Sequence, residues 1–267
     1  MAVDLAHVVM TRFNLATPGR ESDVRNKPGW LARRFELFER YCLPSMGAQT
    51  RTDFTWLIFF DKDTPSEFRD RITRLRAGVP FTPYFTGFFR AEGWPRSVRE
   101  TVTEADWLLT THFDNDDALA ANHVERVRAA AEGNPQRGAI NFDQGLVRTD
   151  RRLYSLTHES NAFFSFVEPW GEGMKTCQDI GHMRIAEEGP VTHLAGDPGW
   201  LQVVHGDNVS NRVRGRLAAP GAAAGFPAAT REGLEEPELG ERLANTLADP
   251  LRRARDRLSA MRGWRAR

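Results

Sequence analysis

Through its first half the chain alternates short apolar runs with stretches of helical period. The run around His7–Met10 reads as a buried strand that ends at Thr11-Arg12-Phe13, and a polar loop with Gly and Pro follows through Pro28. From Trp30 to Tyr41, Leu31, Phe35 and Phe38 recur at helical spacing, which leaves Arg33, Arg34, Glu36 and Arg40 for solvent. Phe54–Phe60 is a second strand, rich in β-formers, apolar on both faces and ending at Asp61. A helix over Ser66–Arg76 starts behind Pro65, Phe81–Phe85 is a short strand, and Pro95–Ala105 a further helix. Trp107–Phe113 is a fourth strand, and the spacing predicts a helix from Ala118 to Ala131, stopped by Gly133-Asn134-Pro135.

This β-α-β-α-β-α-β-α order implies an α/β fold: a mostly parallel sheet with helices on both faces, whose ligands sit at the carboxyl ends of the strands. Three such ends are polar here: Thr11-Arg12, Asp61-Lys62-Asp63 and Asp114-Asn115-Asp116-Asp117. The second half is less regular. Gly138–Phe142, Gly145–Arg148, Ala162–Val167 and Trp200–His205 read as strands. The predicted organisation is one domain over 1–216, an Ala/Gly/Pro-rich linker over 217–236, and a C-terminal helix over 237–267. That helix carries Leu239, Leu243, Leu247, Leu251 and Leu258 as one stripe and ends in a run of arginines. Basic amphipathic helices can bind anionic membranes or acidic partners as a peripheral contact; the plainer reading is a helix packed on the preceding domain with a basic tail.

Bulk properties narrow the class. The 267 residues are 40% hydrophobic and 27% charged, ordinary values for a globular protein. With 36 basic and 36 acidic residues the formal net charge is zero, so nothing global favours nucleic acid. Two distant cysteines, Cys42 and Cys177, argue against a disulfide framework or a zinc site. The first residues show no basic leader followed by a long apolar region, and the longest apolar run is too short to span a bilayer. A cytoplasmic location is expected.

The most informative window is residues 105–119, ADWLLTTHFDNDDAL. An apolar strand that ends in closely spaced carboxylates can hold a divalent cation at a sheet edge. Mg²⁺ and Mn²⁺ take oxygen ligands, commonly one or two carboxylates plus substrate phosphates. The plainer reading is an Asx-rich turn capping the next helix.

The segments "VVMTRFN", "WLARRFELFERYCLPSMGAQT", "WLIFFD", "LLTTHFDNDDAL" and "WLQVVHGDNVSN" occur in an order that resembles the putative rhamnosyltransferase family, over about residues 7–212. The resemblance implies a GT-A-like fold and a nucleotide-sugar glycosyltransferase. It makes Asp114 and Asp116 the carboxylates of a DXD motif, which bind a divalent metal (Mn²⁺ or Mg²⁺) that bridges the donor diphosphate. It also implies His205 as a further metal ligand, and nucleotide-sugar contacts from Thr11, Arg12, Asp61, Asp114 and Asn115. Arg99, on the helix ahead of the DXD strand, is placed to face the diphosphate or else solvent. The expected reaction moves a hexose or deoxyhexose, rhamnose by the family's name, to a hydroxyl acceptor with inversion.

An inverting transferase needs a carboxylate to take the acceptor's proton. Glu159, Glu168, Glu172 and Asp179 lie between the DXD motif and His205, and Asp179 and Glu168 lead. His158, His182 and His193 read as surface or core histidines. Two rivals remain. Ile58–Thr64 resembles the loop of an aspartyl-nucleophile phosphatase, but its Thr arrives one residue early and Pro65 occupies the required position. A non-catalytic carbohydrate- or nucleotide-binding module could instead use Phe163, Phe164, Phe166, Trp170 and Trp200 for stacking.

Overall fold

The computed structural model describes residues 3–15, 24–87, 93–133, 135–206 and 213–247. Four parallel strands form its centre: β1 (Leu5–Arg12), β2 (Thr55–Asp61), β3 (Thr82–Thr86) and β4 (Trp107–His112). With β6 (Gly138–Phe142), β9 (Ser165–Pro169) and β10 (Val191–Leu194) they make a seven-stranded sheet in the order β10-β6-β9-β4-β1-β2-β3. Only β9 runs antiparallel to its neighbours. The chain departs from β1 in both directions, so the crevice at the carboxyl ends of β1 and β4 is the topological switch point where α/β sheets place ligands.

Alternation along the strands sorts side chains onto two cores. Val9, Ile58, Phe60 and Leu109 face one side, where Phe35 and Phe38 cover them. Val8, Met10, Leu57, Phe59 and Leu108 face the other, covered by Val98, Met174, Cys177, Ile180 and Ile185. The first cover is a helix, α1 (Trp30–Leu37), which runs through a π turn (Phe38–Cys42) into α2 (Leu43–Gly47). The Leu43 N–H reaches Phe38 O, five residues back. Pro44 follows it, and a proline there can neither donate to residue 40 nor tolerate that carbonyl in α register. Along the sheet follow α3 (Ser66–Gly78), α4 (Gly93–Arg99) and α5 (His123–Gly133).

A second sheet of five short strands, β12-β8-β7-β11-β5, stands beside the first. Its members are β5 (Ala118–Leu119), β7 (Gln144–Arg148), β8 (Leu153–Thr157), β11 (Trp200–Val203) and β12 (Arg216–Ala218). Trp200 stacks on Phe163 with ring centroids 4.9 Å apart and donates from Nε1 to Phe142 O at 2.9 Å. Gly145 makes room for that indole: a Cβ there would lie 2.0 Å from Trp200 Cε2. This packing seats β11, and β11 delivers His205.

Two expectations are corrected. The helix predicted from Ala118 begins only at His123, because Ala118 and Leu119 pair with Leu201 and Trp200 of β11. Asp117 therefore caps no helix. The segment expected as a linker is packed instead: Ala223 and Thr230 are fully buried, and Phe226 nearly so. Its small residues and two short 3₁₀ turns, Pro220–Ala223 and Ala228–Thr230, bring the backbone close enough to serve a buried guanidinium. Arg148 donates to Thr230 O at 2.9 Å and Glu232 O at 3.1 Å while lying over the Tyr41 ring. Residues 239–247 are helical, and the rest of the predicted C-terminal helix lies outside the described residues. Among the described residues no helix is long and apolar enough to cross a membrane.

Candidate active site

Parallel pairing sets Met10 beside His112, so the end of β1 adjoins the acidic loop after β4. Asn115 ties the two together. Its Nδ2 donates to Arg12 O at 2.8 Å and Phe13 O at 2.9 Å, and its Oδ1 accepts from Arg34 Nη1 at 3.1 Å. Both amide hydrogens and the oxygen are thus engaged in holding the loop, where a nucleotide contact is expected of this residue.

Asp116 is buried beside that clamp. Its Oδ2 accepts from Arg34 Nη1 at 2.5 Å and lies 2.8 Å from His205 Nε2. Burial alone would raise the carboxyl's pKa, but the bonds from His205 and Arg34 outweigh it and hold the group below its ordinary value. Asp117, also buried, accepts the Val203 N–H at 2.7 Å and so braces the loop against β11. Burial, with Asp116 and Asp114 nearby, pushes its pKa well up. Asp114 is partly exposed, and its charge bears on Asp117 on one side and on His112 and His182 on the other.

On the opposite face of the sheet lies a cleft of about 240 Å³ lined by Arg12, His112, Phe164, Gln178, Asp179 and His182, among others. Even-numbered positions of β1 and β4 supply Arg12 and His112. A short 3₁₀ turn, Cys177–Asp179, closes over them. Two bonds hold the turn on the strand ends: Cys177 N–H to Thr110 Oγ1 at 2.8 Å and Gln178 Nε2 to Met10 O at 3.3 Å. Asp179 forms a capping box with Thr176, its Oδ2 accepting from Thr176 N and Oγ1 at 2.8 Å each. Burial raises the Asp179 pKa, and the Thr176 bonds oppose that only in part. Burial lowers both imidazoles, with Arg12 adding to the effect at His112 and Asp114 opposing it at both. His112 Nδ1 lies 2.7 Å from Ala162 O, so the neutral ring carries its proton there and keeps the lone pair on Nε2. Arg12 Nε is buried without a hydrogen-bond partner.

Four other expected residues point elsewhere. Thr11 alternates away from Arg12 into the core, where its hydroxyl accepts the buried Trp56 indole N–H at 3.0 Å. Asp61 has both oxygens engaged, Oδ1 by Asp63 N at 2.9 Å and Oδ2 by Arg25 Nη1 at 2.6 Å. That ion pair, not one with Arg12, fixes the end of β2. Glu168 was expected at the carboxyl end of its strand beside the site, but β9 runs antiparallel and sets Glu168 opposite Leu108, near the start of β4. There it pairs with Arg137 at 2.8 Å. Arg99 donates to Gly171 O at that same far edge. The six residues of β4 separate both from the acidic loop by about 20 Å.

Conversely, three unforeseen side chains belong to the site. Arg34, assigned to solvent above, has only 14% of its side chain exposed and lies over the Trp30 ring. The signal was available: Arg34 follows Trp30 by four and flanks the Leu31-Phe35-Phe38 stripe. His182 is exposed, as read, and also lines the cleft, and His112 joins it as the last residue of β4. His193 pairs instead with Asp143 at 2.6 Å.

Among the described residues no three His, Cys, Asp or Glu side chains form a ready metal cage. The donor set nonetheless fits a divalent cation of the Mg²⁺ or Mn²⁺ type. One buried carboxylate and one imidazole nitrogen already converge, with a second carboxylate two residues earlier, and such ions complete their shell with substrate phosphates.

No curated protein matches the chain. Among solved structures, it is similar to the 1–349 fragment of S. aureus TarS in complex with UDP at 10% identity. That match covers 74% of this chain and 60% of the other, with TM-score 0.46. It is also similar to the mannosyltransferase PcManGT from Pyrobaculum calidifontis in complex with GDP-Man and Mn²⁺, at 12% identity over 76% and 57% of the two chains, with TM-score 0.42. At this level the likenesses carry no argument of their own. The sequence match is of another kind: residues 6–217, spanning β1, the acidic loop, the cleft and β11, fit one family model throughout, and the chain belongs to the family described as "Putative rhamnosyl transferase".

Proposed function

We propose that this protein is a metal-assisted glycosyltransferase that moves a hexose or deoxyhexose, rhamnose by the family's description, from a nucleotide-diphosphate donor to a hydroxyl acceptor. The observation that carries this reading is the pairing of two unlike regions at one switch point. An acidic corner built on Asp116 stands on one side of the β1 and β4 ends, and a cleft containing a raised-pKa carboxylate, Asp179, on the other.

In this reading Asp116, His205 and Asp114 would hold a divalent cation, which when bound would supply positive charge to the departing diphosphate. Arg34 and Asn115 keep the acidic loop against the end of β1. Arg12 offers its buried, unpartnered Nε to an anionic or hydroxyl group in the cleft. Asp179, held by Thr176, takes the proton from the acceptor hydroxyl as the new glycosidic bond forms in a single inverting displacement. Its raised pKa makes it a stronger base than an ordinary carboxylate. His112 and His182, both neutral, supply hydrogen-bonding groups to the bound sugars. Two free, buried cysteines suit a cytoplasmic enzyme.

The test is nucleoside diphosphate release across a panel of nucleotide sugars and hydroxyl acceptors, with and without Mn²⁺. Release that requires both metal and acceptor is expected. Binding of a nucleotide sugar without turnover under every condition would favour a binding module, and phosphate release from simple phosphoesters would favour a phosphatase.

A further inference from the structure

The helix over 239–247 is inside out. Amphipathic helices of globular proteins turn their apolar stripe to the core and their polar face to water. Here the inward face is polar: Asn245 is buried and accepts the Leu217 N–H at 3.0 Å, and Glu241 accepts both Nη2 and Nε of Arg152, at 2.9 and 3.2 Å. The outward face is apolar. Leu239, Leu243 and Leu247, spaced by four, are 80%, 66% and 78% exposed, and with Met183 they are the only large hydrophobic side chains exposed among the described residues. A regular stripe of this kind marks an interaction surface.

The sequence that follows says what covers it. Residues 248–267 hold seven arginines against two acidic residues, Asp249 and Asp256, together with Leu251, Leu258 and Trp264. Leucine and tryptophan beside clustered arginine is the composition of segments that lie in the interface of anionic bilayers. We infer that the C-terminal segment docks this protein on an anionic lipid surface, with Leu239, Leu243 and Leu247 entering the headgroup boundary and the arginines meeting acidic lipids.

The fold relates this surface to the site. The helix is fastened to β12 and to the turn before β8. Ala218, Leu153, Arg148 and Val203 then form one row across the second sheet, two residues short of His205. Three strand spacings, about 15 Å, therefore separate the docking helix from the candidate metal corner at the same sheet end. On the transfer reading above, the acceptor is one presented at the bilayer surface.

Flotation of the full chain with phosphatidylcholine vesicles, with and without phosphatidylglycerol, tests the inference without any sugar nucleotide, so its failure would leave the transfer reading standing. The expected result is capture by the phosphatidylglycerol vesicles, at least tenfold weaker on phosphatidylcholine alone and weakened by added salt. Leu243→Ser combined with Leu247→Ser should lower capture about tenfold or more while leaving the melting temperature unchanged, since both side chains point outward. Arg252→Gln, Arg253→Gln, Arg255→Gln and Arg257→Gln together should abolish the preference for the anionic vesicles. Absence of flotation, retention on an acidic polypeptide in its place, or flotation indifferent to the leucines would overturn it.

Discussion

The acidic corner and the cleft flank the same strand ends, yet they are held in opposite ways. In the corner most polar groups answer one another: Asn115 donates twice and accepts once, Asp116 accepts from Arg34 and sits against His205, and Asp117 takes the Val203 N–H on one oxygen. In the cleft they do not. Arg12 Nε has no partner, two imidazoles are kept neutral by burial, and the Asp179 carboxylate is held through one oxygen. A largely bonded network in a low-dielectric site is rigid, even with Asp117 Oδ2 left without a partner, whereas the cleft's unpartnered Arg12 Nε is held ready for a ligand. On the proposed function, this difference gives the corner a positioning role and the cleft recognition with proton transfer.

Substitutions can break that division. Asp116→Asn should have the largest effect, about a thousandfold loss in kcat, because metal stabilisation of the departing diphosphate is worth several kcal/mol. Asp179→Asn should lower kcat by about 10²- to 10⁴-fold, the usual contribution of general base catalysis, without altering Mn²⁺ affinity. It should also remove a feature of the pH profile. Because the Asp179 pKa is raised, the base is protonated as pH falls through that displaced value, so wild-type kcat/KM should drop on an acid limb above the ordinary carboxylate range. A variant that keeps the limb would take the proton-transfer role away from Asp179.

Arg34→Met should weaken Mn²⁺ binding by about 10- to 100-fold, as loss of an outer support of a metal ligand does, with the helix itself intact. Equal Mn²⁺ affinity in that variant would mean the corner does not depend on its clamp. The smallest effects belong to the far edge of the sheet. Arg99→Gln and Glu168→Gln should each change kcat/KM by less than about twofold, since both side chains lie about 20 Å from the acidic loop, at the other end of β4. A large loss in either would mean the site extends across the sheet.

The parallel half was legible because each strand there is a short apolar run and each helix a periodic one, and register on a buried sheet leaves little freedom. The place of the acidic window was legible for the same reason: it terminates such a strand. What escaped has a common cause. Strand direction is not written in composition, so β9 was placed with Glu168 at the wrong edge. Ala118-Leu119 is too short to show a period of two. The alanine- and proline-rich stretch after β12 resembles a linker because its burial serves backbone contacts to Arg148, which leave no apolar pattern. Arg34 reads as a surface residue because charge on a helix face ordinarily belongs there, and only the approach of a distant carboxylate changes it; His182 is at the surface, and only the nearby strand ends make it part of a cleft.

The central claim is that Asp116 organises a divalent cation together with a nucleoside diphosphate. Calorimetric titration of the protein with nucleoside diphosphates and Mn²⁺, in the wild type and in Asp116→Asn, tests it most directly. The account predicts that at least one nucleotide binds in a Mn²⁺-dependent manner to the wild type, and that this dependence vanishes in the variant while its melting temperature stays close to that of the wild type. Nucleotide binding that is indifferent to Mn²⁺, or equally metal-dependent in both proteins, would contradict it.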